Sequence, residues 1–223
     1  MKRLSLSLAI LLTLGGCRDA VAPRVERVVA APQFERVGDL ESSDADQDST
    51  DALGTSILHQ AATAPQLETY QVSFWLSRER ATQVMVRYQP AAGESQGAPF
   101  LLFDVPKDGL RTAGGGAKLA RQDSVLITLT IDPRSFEVDF QPSGVLFSQR
   151  KPATLVFWYQ NADPDLNGDG VVNNADRDLE KQLHIIYRRN GRAHWQQTKS
   201  MRGWDWPYVL APVRHFSSYA VSW

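Results

Sequence analysis

Disulfide chemistry is closed to this chain: its 223 residues hold one cysteine, Cys17, and an internal bridge needs two. Metal-hydrolase chemistry is no better supplied. The four histidines, His59, His184, His194 and His215, lie far apart, and no His-Glu-x-x-His occurs. No Gly-x-Ser-x-Gly marks a nucleophile turn, and Gly114-Gly115-Gly116 lacks the Lys-Ser/Thr that a phosphate loop requires. His215 and Ser217 adjoin without an acid partner, so His215 reads as a structural side chain. These absences leave no catalytic set, and no enzymatic activity is expected. A dominant charge is missing too. The 24 Lys and Arg nearly balance 25 Asp and Glu, for a net of −1, which argues against nucleic acid as the partner.

Long apolar runs are also scarce, and the only one opens the chain. Basic Met1-Lys2-Arg3 is followed by Leu4 to Gly16, 13 residues that are too few for a comfortable bilayer span. The run closes on Leu14-Gly15-Gly16-Cys17. This resembles a bacterial lipobox, which implies cleavage of a signal peptide over 1–16 and acylation of Cys17. Each buried CH₂ of the acyl chains would contribute about 0.8 kcal/mol to membrane anchoring. Arg18, in place of Asp, resembles the outer-membrane sorting signal of such lipoproteins. The expected location is therefore the bacterial outer membrane, facing the periplasm or the cell surface. From the 24 basic residues, loss of Lys2 and Arg3 leaves 22 against 25 acidic ones, a net of −3.

Residues 17–68 read as a lipidated N-terminus followed by an acidic disordered linker. No Lys or Arg occurs from Val37 to Ser77, while Asp39, Glu41, Asp44, Asp46, Asp48 and Asp51 crowd together. Such a tract repels itself and has little apolar surface to bury. Within it, Ala52 to Ala62 has the composition of a weak helix.

From Thr69 the pattern turns to period two. Tyr70, Val72, Phe74 and Leu76 alternate with polar residues. So do Val84, Val86 and Tyr88; Val125, Ile127, Leu129 and Ile131; and Phe136, Val138 and Phe140. Ala153, Leu155, Phe157 and Tyr159 form another row. Half-buried strands produce this alternation. Pro90, Pro106, Pro133, Pro142 and Pro152 punctuate the strands. Asn190-Gly191, between two strand-like runs, signals a type I′ hairpin. The fold class expected for 69–223 is all-β: an antiparallel β-sandwich with one short helix after an insertion at about 160–184.

Several segments then occur in a suggestive order: Phe103-Asp104-Val105-Pro106, Gly109-Leu110, Asp123-Ser124-Val125-Leu126-Ile127, Phe140-Gln141-Pro142-Ser143-Gly144-Val145-Leu146-Phe147, Pro152-Ala153-Thr154-Leu155 and His215-Phe216-Ser217-Ser218-Tyr219-Ala220-Val221. This order resembles the ZU-five-like β-sandwich of zonula occludens scaffolds, netrin receptors and ankyrins. The resemblance implies a protein-binding domain without catalytic residues.

The insertion holds the sharpest motif, Asp165-Leu166-Asn167-Gly168-Asp169-Gly170-Val171-Val172-Asn173-Asn174-Ala175-Asp176. Calcium takes six to eight oxygens, and a twelve-residue loop supplies them from positions 1, 3, 5, 7, 9 and 12. Here these are Asp165, Asn167, Asp169, the Val171 carbonyl, Asn173 and Asp176, with Gly170 at the sharp turn. Val172 is placed to pack inward. Asp176 opens a helix-like stretch with Leu179, Leu183 and Ile186 on one side. Asp at position 12 resembles dockerin repeats, but those pair two loops and only one is found here. A structural calcium loop is the leading reading; a docking module and a metal-free Asp/Asn/Gly turn stand beside it.

Of six tryptophans, Trp75, Trp158, Trp195 and Trp223 fall in strand-like runs and are expected to pack. Trp204-Asp205-Trp206-Pro207 reads as an exposed turn able to stack on a sugar. The sequence thus points to a monomer held to the membrane by its lipid, with an envelope protein or a glycan as partner.

Overall fold

The computed structural model describes residues 55–189 and 192–223. These belong to one compact unit, and residues 1–54, 190 and 191 lie outside the description. The lipobox, Cys17 and the acidic tract up to 54 therefore fall outside the description.

The body is an antiparallel β-sandwich with one short helix, as the alternation predicts. The strands are β1 (Gln71–Ser77), β2 (Thr82–Arg87), β3 (Pro99–Val105), β4 (Leu110–Thr112), β5 (Ser124–Ile131), β6 (Glu137–Gln141), β7 (Leu146–Phe147), β8 (Ala153–Trp158), β9 (His184–Arg188), β10 (Gln196–Gln197), β11 (Met201–Arg202), β12 (Tyr208–Val213) and β13 (Ser218–Ser222). The helix α1 spans Asn174–Glu180. One sheet runs β1-β5-β6-β13-β9-β10, the other β11-β12-β8-β3-β2, and β4 pairs with β7 alone.

Alternation decides which faces meet. In β1, Phe74 and Leu76 are buried while Trp75 between them is 62% exposed. Phe103 of β3 lies 4.7 Å from Phe140 of β6, ring centre to ring centre, and 5.7 Å from Phe216. Phe140 stacks on Phe216 at 4.8 Å, and Phe100 meets Phe136 at 5.2 Å. Aromatic residues from both sheets thus fill the interior, each burying a large apolar area. β8 departs from strict alternation because it is central: Leu155 and Phe157 face the core, while Val156 and Trp158 join Leu102 and Leu210 in a second buried cluster.

Several of these expectations are corrected. The stretch 52–62 is not helical where described. Ile57, His59 and Gln60 instead form antiparallel bridges with Ser222, Ser135 and Ala162. Because Leu58 and Leu67 are 1% and 2% exposed, the packed body begins near 57, not at 69. Trp75 does not pack, since it lies on the outward face of β1. Asn190 and Gly191 lie outside the described residues, but their flanks show the register. Arg192 donates its amide to the Arg189 carbonyl at 3.0 Å. The ladder pairs Gln196 with Tyr187, however, two residues beyond the partner that a minimal hairpin would supply. Finally, α1 ends at Glu180 and Ile186 lies in β9, so the apolar stripe Leu179, Leu183 and Ile186 spans a helix, a turn and a strand.

Candidate functional site

Between β8 and β9 the chain leaves the sandwich and returns through the 165–176 loop and α1. Local polar chemistry shapes this loop. One oxygen of Asp165, Oδ1, accepts the amides of Gly168 at 2.9 Å and Asp169 at 3.2 Å, and the other, Oδ2, accepts the Gly170 amide at 2.7 Å. Asn167 Oδ1 accepts the Asp169 amide, and Asp169 Oδ1 accepts that of Val171. Short Asp and Asn side chains bond to nearby backbone readily, and this holds a tight turn without apolar packing. Gly170 sits at φ 82° with open space around it, so its role is conformational.

Asp176 closes the loop. It is 2% exposed and accepts the Asn173 amide at 2.8 Å on Oδ2 and the Asn167 amide at 3.2 Å on Oδ1. The backbone bond from Asn173, foremost among several, holds its carboxyl below the ordinary range against the opposing effect of burial. Asn173 Oδ1 in turn accepts the Ala175 amide at 2.7 Å, and together they cap α1 reciprocally.

The oxygens present are of the hard kind that calcium or magnesium prefers. Asp165, Asn167, Asp169, Val171, Asn173 and Asp176 all lie on this one loop. Two side-chain amides compete for those oxygens: Asn167 Nδ2 donates to Asp169 Oδ2 at 2.9 Å, and Asn173 Nδ2 to the Val171 carbonyl at 3.0 Å. Among the described residues, no three acidic, histidine or cysteine side chains converge as a metal cluster. A cation would therefore need carbonyl and amide oxygens as well, with both amide contacts released. The donor types are those a hard cation takes, and two of them are engaged here by side-chain amides.

Val172 does not pack inward. It is 59% exposed, as is Val171 at 60%, and it borders an open groove of about 300 Å³. Leu58, Leu166, Leu183 and Pro207 line the groove on its apolar side, and Asp176 and Glu180 on its acidic side. Sequence reasoning missed Leu58 because it lies in a segment read as linker; the signal was the apolar pair Ile57-Leu58 inside a polar tract.

The second candidate is the turn between β11 and β12. Trp204 is 99% exposed and Trp206 67% exposed, as expected of a presented platform. Gly203 is required here, because an added Cβ would stand 2.6 Å from the Trp206 carbonyl and 2.4 Å from the Tyr208 ring. The Gly203 amide donates to the Tyr208 carbonyl at 2.9 Å and closes the turn.

His215 is half-buried. Its Nδ1 is 2.9 Å from Ser217 Oγ, and Tyr219 donates its hydroxyl to the His215 carbonyl. Burial first, then the Arg189 charge, pushes the imidazole down to about 4, so it is neutral at physiological pH. Ser217 is 1% exposed, and its hydroxyl is closed to a substrate arriving from solvent.

No family model, curated protein or solved structure matches the chain. Among the described residues, no helix is long and apolar enough to cross a membrane.

Proposed function

We propose that the chain is a non-catalytic bacterial lipoprotein of the outer membrane, anchored through Cys17. Its β-sandwich would be stabilised by calcium in the 165–176 loop and would bind or scaffold another envelope protein. The observation that carries this reading is the loop's polar architecture. A buried carboxylate, Asp176, joins residues nine apart in sequence, while Asp165 gathers three backbone amides. The loop also sits on the body: Leu166 packs against the core, and Arg202 of β11 reaches the Glu180 carbonyl at the end of α1. Order in the loop is thereby linked to order in the sandwich. The likeness to the scaffold domains of zonula occludens proteins, netrin receptors and ankyrins rests on the order of the sequence segments between 103 and 221.

The test is thermal unfolding of the full chain in EDTA and in millimolar calcium, for the parent and for Asp165→Ala. A midpoint raised by calcium in the parent alone supports the reading. An unchanged parent midpoint removes the stabilising role. The full chain is needed because Leu58 and its neighbours belong to the packed body.

A second reading draws on the exposure of Trp204 and Trp206. Two presented indoles suit stacking on a glycan. Glycan-array binding abolished by Trp206→Ala would favour it. The exposed Val171 and Val172 favour a third, dockerin-like docking, in which calcium-dependent capture of a defined envelope protein is lost when 161–183 is deleted.

A further inference from the structure

A hollow of about 510 Å³ lies where β4 pairs with β7, and it shares no lining residue with the groove beside the 165–176 loop. Its lining is Arg111, Thr112, Leu146, Phe147, Ser148, Gln149 and Arg150. Two features set it apart. It carries two guanidinium groups and no carboxylate, and both arginines are exposed residues. Their charge is thus presented rather than consumed inside the fold.

The backbone explains why these residues meet. β4 and β7 pair Leu110 with Phe147 and Thr112 with Leu146, and the register shifts between Leu110 and Thr112. That irregularity falls at Arg111 and re-aims a side chain that regular pairing would place otherwise. Phe147 is anchored in turn, since its amide donates to the Arg214 carbonyl at 2.8 Å. Ser148 and Gln149 add polar groups between Phe147 and Arg150, while Leu146, 42% exposed, forms an apolar shoulder.

We propose that this hollow binds a phosphate group, with Arg111 and Arg150 taking the oxyanion. Guanidinium forks match phosphate oxygens in pairs and make charge-assisted bonds stronger than neutral ones. Free phosphate and the headgroup of a lipid whose chain meets Leu146 present the same chemistry to the arginines.

The experiment is isothermal titration of the full chain carrying Cys17→Ala, in calcium-free buffer, so that neither acylation nor the 165–176 loop enters the readout. The probes are inorganic phosphate, dihexanoyl phosphatidic acid and dihexanoylglycerol, the last being free of phosphate. Saturable binding of either phosphate probe, weakened about tenfold or more in Arg111→Gln/Arg150→Gln, supports the site. Comparable affinity for the two phosphate probes identifies free phosphate as the ligand; phosphatidic acid bound at least tenfold more tightly identifies the lipid headgroup. Arg111→Lys/Arg150→Lys, which keeps the charge and loses the paired fork, weakens binding by a smaller factor and guards against a general loss of charge. No binding at millimolar phosphate probe overturns the proposal. So does binding unchanged in the double variant, or equal binding of dihexanoylglycerol. Both arginines are exposed, and an unaltered unfolding midpoint verifies that the variant folds.

Discussion

The sandwich core and the 165–176 loop are ordered by opposite means. The core is held by rings: Phe100, Phe103, Phe136, Phe140, Phe157 and Phe216 are all nearly inaccessible, and their packing depends little on protonation or ions. The loop has one half-buried apolar residue, Leu166, resting on that core. Everything else in it is arranged by carboxylates and side-chain amides bonded to backbone. Neutralising a carboxylate should therefore act through the loop's hydrogen bonds, and deleting a ring through the packing of the core.

The sharpest way to break that contrast is Phe103→Ala. Phe103 is fully buried and meets Phe74, Phe140, Phe147 and Phe216. Its loss should cost about 3–5 kcal/mol in denaturant unfolding, by the same amount with and without calcium. Next is calcium itself. At about 100-fold over its dissociation constant, it would add about 2.7 kcal/mol, raising the midpoint by roughly 5–10 °C for a domain of this size. Asp165→Ala measured in EDTA isolates the loop's own bonds. The Gly168 and Gly170 amides lose their acceptor while that of Asp169 keeps Asn167 Oδ1, and a loss of about 1–2 kcal/mol is expected, with faster hydrogen exchange at 168 and 170.

Acid probes the same loop more gently. Asp176 is held below its ordinary value, so the stability it contributes is present above the unfolded carboxyl range near 4 and is lost as pH falls through the lower folded value. Asp104 and Glu137 act in the opposite sense. Burial raises both, so their penalty is relieved as pH falls. The difference between parent and Asp176→Asn midpoints from pH 6 to 2.5 separates the two effects, and it should shrink toward the acid end. A gap that stays constant would mean that the charge of Asp176 is unimportant. The smallest effect belongs to Trp204→Ala, where a side chain 99% exposed should leave stability within about 0.5 kcal/mol.

Much of this contrast could be read from the sequence. Period-two runs marked the strands, because a half-buried sheet imposes that spacing on apolar residues. The loop's outline followed from Asp, Asn and Gly at fixed offsets, since only short polar side chains can turn back to bond their own backbone. What escaped depended on distant partners. Leu58 looked like linker because a short bridged segment carries too few residues to show a period, and only the end of β13 reveals its place. Trp75 looked like a core residue because aromatics favour strands, but one step along β1 reverses its face. The hollow at β4 and β7 was illegible, as Arg111 and Arg150 lie 39 positions apart in sequence and meet only through strand pairing.

The first described residues have a mechanical consequence. Ile57, His59 and Gln60 bridge to three separate places: the last strand, the connection between β5 and β6, and the chain just after β8. A pull on the preceding chain would not peel one strand from an edge. It would be divided at once between two places in the six-stranded sheet and the stem of the 165–176 insertion beyond β8, so these parts would take up load together.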